Sequence, residues 1–212
     1  MLFRSKGFLQ DAVWFVTMAP LVLLVHAAAS QFLRGVYDAH FSFLTIAQAT
    51  AWPAWCQLTA AFVLGEFLTY ASHLIRHKSE TAWRFHAVHH SQRETNVFTQ
   101  ERIHVMDELI SAGLMFIPFY MFQVPNLYAV AVIGLYRSIH NRFVHANIKM
   151  NLGWLGRLVV SPQFHRVHHS IERAHADTNF GGVLSVFDYA FGTAYPSREV
   201  YPDTGIHDAQ FP

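Results

Sequence analysis

The sequence predicts an all-α fold: a helical bundle integral to a membrane, with a histidine-rich helical cap on its cytoplasmic side. Three observations carry that expectation. Of 212 residues, 52% are hydrophobic and only 14% charged, whereas a soluble domain is usually about 25% charged. The apolar residues gather into four long runs, and strand signals are weak throughout. The chain also holds 15 histidines, most of them clustered at helical spacing just after those runs.

The first run, Asp11 to Leu33, contains one acid and no base. It approaches the ~20 apolar residues that a spanning helix needs. Arg4 and Lys6 precede it and Arg34 follows it. A retained anchor is the favoured reading. A signal peptide is the rival, with Val13–Val25 as its apolar stretch and Ala27–Ala29 as its small-residue cleavage site. The second run, Ala54 to Ser72, is broken only by Gln57, Glu66 and small hydroxyl residues, and it delivers His73 at its end. The third and fourth runs, Leu109–Val124 and Leu127–Ile139, meet at Pro125-Asn126, a turn signal. Both are short for full crossings. The expectation is therefore four membrane helices, or two plus a re-entrant hairpin.

Arg76, Lys78, Arg84, Arg93 and Arg102 lie between runs two and three, and Arg142, Lys149, Arg157, Arg166 and Arg173 follow run four. The positive-inside tendency puts both segments on the cytoplasmic side. A very apolar soluble bundle is the alternative, because runs of this length also occur in buried core helices. After Gly181, Val183–Phe187 reads as a short strand or a helical turn. The organisation expected is an N-terminal anchor region (1–53), a core domain (54–195) and an irregular, exposed tail (196–212).

Composition excludes several functions. A formal net charge of +1 gives no basic face for nucleic acid. Cys56 is the single cysteine, so there is neither an intrachain disulfide nor a thiolate zinc site. No G-x-G-x-x-G fingerprint for a flavin or nicotinamide is present.

The chemistry lies in three clusters: His73-x₃-His77, His86-x₂-His89-His90 and His165-x₂-His168-His169. Residues three and four apart share a helix face. The spacing therefore predicts that His73 and His77 aim together, and that the first histidine of each triple meets both later ones on one side. Eight imidazoles are too many for one ion and suit two. Imidazole serves zinc, copper, iron and nickel alike, so the ligand type leaves the metal open. His145, at the end of run four, is a further candidate ligand. His104, Glu108, His140, His175, Asp177 and Asn179 are candidates to hydrogen-bond the ligands from behind. His26, His40 and His207 lie far from the clusters in sequence and are expected to be unrelated.

These motifs resemble the fatty acid hydroxylase superfamily, which includes sterol desaturases and alkylglycerol monooxygenase. The carrying residues are Glu66 and Tyr70 before the first histidine pair, Trp83-Arg-Phe-His-Ala-Val-His-His-Ser91, and Phe143-Val-His-Ala-Asn147 with Gly153-Trp-Leu-Gly156. Ser161-Pro-Gln-Phe-His-Arg-Val-His-His-Ser170, Asp177-x-Asn-Phe-Gly181, Phe187-Asp188 and Phe191-Gly-Thr193 complete the set. Three positions depart from the family pattern: Leu74 stands in place of Arg, and Phe180 and Phe187 in place of Tyr and Trp. The Phe180 exchange removes a hydroxyl that could have bonded a ligand.

The resemblance implies a membrane-embedded, non-haem di-iron oxygenase that hydroxylates or desaturates a lipid C–H bond with dioxygen and two electrons. It implies His73, His77, His86, His89, His90, His165, His168 and His169 as iron ligands, joined by His145. The partners expected are a lipid substrate, dioxygen and an external electron donor of cytochrome b5, ferredoxin or reductase type. Two rival functions follow from the residues alone. One is a membrane hydrolase with two zinc ions and a bridging hydroxide. The other is a metal-binding or transport protein, against which the clustering of histidines at one face counts.

Overall fold

The computed structural model describes residues 7–124 and 127–206. Arg4, Lys6, the Pro125-Asn126 turn and His207 lie outside the described residues. The fold is all-α among them, with only two isolated bridges, Val159 to Leu184 and Ser170 to Thr204. Seven α-helices follow in order: α1 Phe8–Val36, α2 Ala54–Lys78, α3 Glu80–His90, α4 Val105–Met121, α5 Leu127–His145, α6 Pro162–His168 and α7 Val186–Phe191.

The four apolar runs become α1, α2, α4 and α5. Two segments, Phe8–Leu44 and Ala54–Lys78, are long and apolar enough to cross a membrane. The outer face of α1 is apolar and exposed at Leu9, Val13, Val16, Leu23, Leu24 and Phe32. α2 packs against α4 along its length, and α1 lies on the other side of α4. At one end of this bundle, Tyr120 donates its hydroxyl to the Ser30 carbonyl (2.7 Å), and the Ile46 N–H bonds the Met121 carbonyl (2.9 Å). The Gln57 side chain closes the same end on the Ala49 carbonyl (2.6 Å).

The histidines sit at the opposite end, where the local sequence stops and restarts helices sharply. Ser79 ends α2 and caps α3, its hydroxyl accepting the Ala82 N–H. Ser161 caps α6 through the Phe164 N–H (3.1 Å), and Pro162 occupies the first turn, where its missing N–H costs nothing. Gly192, with φ of 73°, ends α7 in a conformation that glycine adopts without strain. The stretch expected as a strand or a turn is divided: Leu184 makes a single bridge and α7 begins at Val186.

Two buried carboxylates lock this end. Asp11, at the start of α1, is fully buried. It accepts from the Gln92 amide (2.8 Å), the Asn96 amide (2.7 Å), the Thr99 hydroxyl (2.8 Å) and the Arg102 guanidinium (3.1 Å). The acid that interrupts the first apolar run is thus the residue that fastens α1 to the segment after α3. Glu66 on α2 pairs with Arg137 of α5 and accepts the N–H groups of Val183 (2.7 Å) and Leu184 (3.2 Å).

The tail corrects one expectation. It is irregular, but its described part is not all exposed: Pro202, Thr204 and Gly205 are buried. The Pro202 carbonyl accepts from Arg166, the Ile171 N–H bonds the Asp203 carbonyl, and the Gly205 N–H bonds the His169 carbonyl. The chain returns over α6 because these donors need partners once they leave water.

Candidate metal centre

The nine candidate ligands come from four helices, α2, α3, α5 and α6 with the residue that caps it, and form two compact groups. His73, His77, His86, His90 and His168 make one; His89, His145, His165 and His169 make the other. Within each group the ligating nitrogens all lie within 4.8 Å of one another. His90 of the first group stacks on His169 of the second, with ring centroids 4.3 Å apart.

Each histidine triple is divided between the groups, which corrects the expectation that its members aim together. The pairs four apart stay together: His73 with His77, His86 with His90, His165 with His169. The middle histidines go the other way. His89 leaves its triple for the four-membered group, and His168 leaves its own for the five-membered one. The reason is angular. Adjacent helical residues point about 100° apart, so His89 and His90 cannot share a focus.

Hydrogen bonds fix which nitrogen is bare. The Nδ1–H of His73 donates to the Phe180 carbonyl (2.8 Å), and that of His168 to the Thr178 carbonyl (2.9 Å). His145 donates to the Asn141 carbonyl (2.6 Å), and His86 to the Asp107 carboxylate (2.9 Å). In all four rings Nε2 is then the unprotonated nitrogen. The Nε2 atoms of His73 and His86 face each other at 3.0 Å. Two lone pairs at that distance repel, and no proton is left to sit between them. A shared cation resolves the conflict.

The Nε2 atoms of His77 and His168 are buried with no partner at all. Other facing Nε2 pairs are His86–His90 at 3.2 Å, His89–His145 at 3.1 Å, His145–His165 at 2.9 Å and His165–His169 at 3.1 Å. Right-angled nitrogens about 2.1 Å from a metal stand about 3.0 Å apart, and tetrahedral ones about 3.4 Å. The observed spacings match the right-angled arrangement, and five donors exceed the four of a structural zinc site.

Electrostatics favour neutral rings. Burial holds His89, His90, His165 and His169 well below the ordinary histidine value, and repulsion between neighbouring histidines adds to it. Burial pushes His168 down to about 3. Burial also lowers His86, although the bond to Asp107 opposes the shift. Neutral imidazole is the form that binds a metal.

The supporting residues differ from those expected. Glu108 turns away from the centre and pairs with His26 of α1 (2.7 Å); one helical step earlier, Asp107 takes the inward place and joins His86 to Arg76 (2.9 Å to each). His26 therefore has a role, as the partner of Glu108. His104 caps α4 by accepting the Met106 N–H (3.1 Å) and stacks on Phe85. His140 is buried between Tyr136 and Phe143 and belongs to neither group. His175 bonds the Ser170 hydroxyl (2.7 Å) and packs on Tyr195.

Asp177 is paired with Lys78 (2.6 Å) and lies 3.9 Å from His77 Nδ1, beyond hydrogen-bond range. Asn179 shapes the closing loop instead of touching a ligand. With φ of 61° it donates to the Phe164 carbonyl (2.9 Å) and accepts the Tyr195 N–H (2.8 Å). Asp107 carried a usable signal, being an acid adjacent to Glu108 in the first turn of α4. Phe180 and Thr178 carried none, because they act through main-chain carbonyls.

The comparison with known proteins agrees with this geometry. The family model for fatty acid hydroxylase matches residues 58–193, which contain all nine clustered histidines. The chain belongs to the fatty acid hydroxylase family. It is 32% identical over 203 residues to an ornithine lipid hydroxylase of Rhizobium tropici, covering 95% of this chain and 58% of that protein. It is 31% identical over 140 residues to human alkylglycerol monooxygenase, covering 66% of this chain and 31% of that one. A very-long-chain aldehyde decarbonylase of rice is 26% identical over 82% of this chain and 28% of its own length. The chain thus spans between about a third and just over half of these relatives. No solved structure matches it.

Proposed function

We propose that the protein is a membrane-bound, non-haem di-iron oxygenase that oxidises a C–H bond of a lipid. The observation that carries this reading is the pair of Nε2-lined groups, whose Nε2 atoms face one another at 2.9–3.2 Å. The five histidines of the first group would hold one iron and the four of the second the other. When bound, the pair would supply the reduction of dioxygen and the oxidation of an unactivated C–H bond, with two electrons from an external donor.

The protein's own part is positional. Phe180 and Thr178 hold His73 and His168 in the tautomer that leaves Nε2 free. Asp107 does the same for His86 and adds a negative charge behind it, which raises the basicity of that ligand. The Phe180 ring packs on His73, His77 and His168 (5.7, 5.2 and 5.7 Å) and keeps water from their far side.

A narrow apolar groove between α2, α4 and α5 is the place for the lipid chain. It is lined by Phe62, Gly65, Met115, Phe119, Ile133 and Gly134, and Arg137 stands at its edge. Four membrane helices with the histidine end at the cytoplasmic face complete the reading, α4 and α5 being the shorter pair. Lipids with an amino-acid head group are the first substrates to test, given the Rhizobium relative.

The nitrogen spacing and the five-membered group weigh against the two-zinc hydrolase. The grouping of all nine histidines at one end of the bundle weighs against transport. The deciding experiment is metal analysis with Mössbauer spectroscopy on protein expressed with iron-57 and purified in detergent. The expected result is two irons per chain with a coupled signal, and oxygen uptake on adding lipid that is lost in His90→Ala. Two zinc ions, with no iron taken up on reconstitution, would overturn the oxygenase.

A further inference from the structure

The cap that closes the histidine end carries an apolar surface that the catalytic reading does not use. The 3-10 turn Gly153–Arg157 and the residue after it expose Trp154 (71%), Leu155 and Leu158, and α7 exposes Val186, Tyr189 and Phe191 (60%). These two short elements are one surface. Val159 bridges Leu184, the Ser185 N–H bonds the Leu158 carbonyl (3.1 Å), and the Ser185 hydroxyl bonds the Gly156 carbonyl (3.1 Å). Both hydroxyl and amide of Ser185 are thereby consumed, and apart from Arg157 the large side chains facing outward are apolar or aromatic.

This surface is continuous with α2. Phe191 stacks on Tyr70 (5.6 Å, 20° between planes) and contacts Phe67 (6.0 Å), while Phe187 contacts Phe67 at 5.6 Å. Helix length then sets its depth. A hydrocarbon core of about 30 Å takes up about 20 helical residues. Trp52 and Trp55, both exposed at the far end of α2, mark one interface. Counting from Ala54, the core ends near Leu74. Phe67 and Tyr70 fall roughly 6–10 Å inside that boundary. α7, which lies against them, cannot stand clear in water.

We infer that the turn 153–158 and α7 form an in-plane anchor that sinks into the cytoplasmic-side lipid interface beside α2, its apolar side chains among the acyl chains. Its rim carries two bases to one acid: Arg157 is exposed between Leu155 and Leu158, Arg198 is held by the Asn151 and Gly153 carbonyls, and Glu199 bonds the Asn151 amide. An interface rich in anionic head groups suits that rim, and in-plane elements of this kind bury their apolar face about 5–10 Å deep. The anchor would hold the mouth of the metal centre at the level of the lipid head groups. The inference rests on the membrane reading of α1 and α2 above.

Electron paramagnetic resonance in liposomes of phosphatidylglycerol and phosphatidylcholine tests it. In a Cys56→Ser background, spin labels are attached at Leu155→Cys, Leu158→Cys and Tyr189→Cys. Leu24→Cys on α1 serves as the membrane control and Glu172→Cys, exposed on the cap, as the water control. The ratio of collision with oxygen to collision with a water-soluble nickel chelate is read at each. The expected result is a ratio at positions 155, 158 and 189 several-fold above that at 172. Chelate-dominated collision at these three positions, with Leu24 still oxygen-dominated, would overturn the anchor and leave the membrane reading standing. Chelate-dominated collision at Leu24 as well would remove both. Labels shielded from both reagents and broadened by spin–spin contact would show a second copy of the chain on this face, which also overturns the proposal.

Discussion

Among the described residues Asp107 is the one carboxylate hydrogen-bonded to a candidate ligand, so Asp107→Asn isolates what it contributes. The side chain is almost fully buried and accepts from His86 Nδ1 and Arg76 at 2.9 Å each. The amide keeps the shape and one acceptor oxygen but loses the charge and cannot serve both donors as strongly. Two effects follow. Losing a hydrogen-bonded carboxylate behind a ligating histidine lowers metal affinity by about 10–100-fold, and that loss arises at the five-histidine group, where His86 sits. Leaving Arg76 buried without its counter-charge costs the fold about 3–5 kcal/mol in the fully truncated Asp107→Ala, and less in the isostere. The assay is a competition between purified protein and a graded iron chelator, followed by iron-57 Mössbauer spectra of what remains. The expected result is earlier loss of iron, the signals of both sites falling together because the two groups share turns of α3 and α6. If Asp107→Asn keeps iron as tightly as the unaltered protein, to within twofold at both sites, the assignment of Asp107 as the residue that fixes His86 is wrong.

Two further outcomes follow from the buried groups. Asp11→Ala strips one charged acceptor from four donors, among them Arg102, and should cost about 3–5 kcal/mol; a thermal midpoint in detergent unchanged from the original would contradict this role. The second concerns acid. His86, His89, His90, His165, His168 and His169 all have folded-state values below the ordinary 6.5. Their contribution is therefore complete above pH 6.5 and is lost as the pH falls, because the unfolded chain takes up protons that the native one refuses. One unit below 6.5, a histidine that stays neutral in the fold while the unfolded chain protonates forfeits about 1.4 kcal/mol, so that only a few such groups are needed to matter against the 5–15 kcal/mol that a domain typically has. Metal-free protein should lose its tertiary circular dichroism cooperatively between pH 6.5 and 5; a signal flat to pH 4 would refute the account.

Much of the fold could be read from hydropathy because it depends on burial of long apolar faces. The four runs became α1, α2, α4 and α5, with ends displaced by a few residues wherever a capping side chain such as His104 set the boundary. Three pairs of the clustered histidines, His73 with His77, His86 with His90 and His165 with His169, were legible because four-residue spacing survives folding intact. What was not legible depends on direction and on the main chain. Asp107 and Glu108 are neighbours in sequence and differ by one helical step, and only packing against α2 and α3 decides which faces inward. The division of His86 and His90 from His89 is the same step seen from the other helix. The exchange of Tyr for Phe at position 180 had pointed to a lost hydroxyl contact. The bond that matters there is the carbonyl of Phe180 on His73, which the side chain does not alter. The tail was read as exposed because its composition is that of a loop, yet the Arg166 guanidinium on α6 and the Ile171 N–H just beyond it draw Pro202 and Asp203 back.

The crossing of the middle histidines has a consequence for how the centre is assembled. One turn of α3 carries ligands for both groups, and so does one turn of α6. On the di-iron reading, an ion held by either group would order both turns and would thereby set the partners of its neighbour in place. The second ion then meets a coordination shell already stiffened by the first, and its binding costs less conformational entropy. Filling would be cooperative, with half-loaded chains scarce at any iron concentration. The interleaving makes the two positions a single unit of maturation, which neither of two separate histidine boxes could achieve.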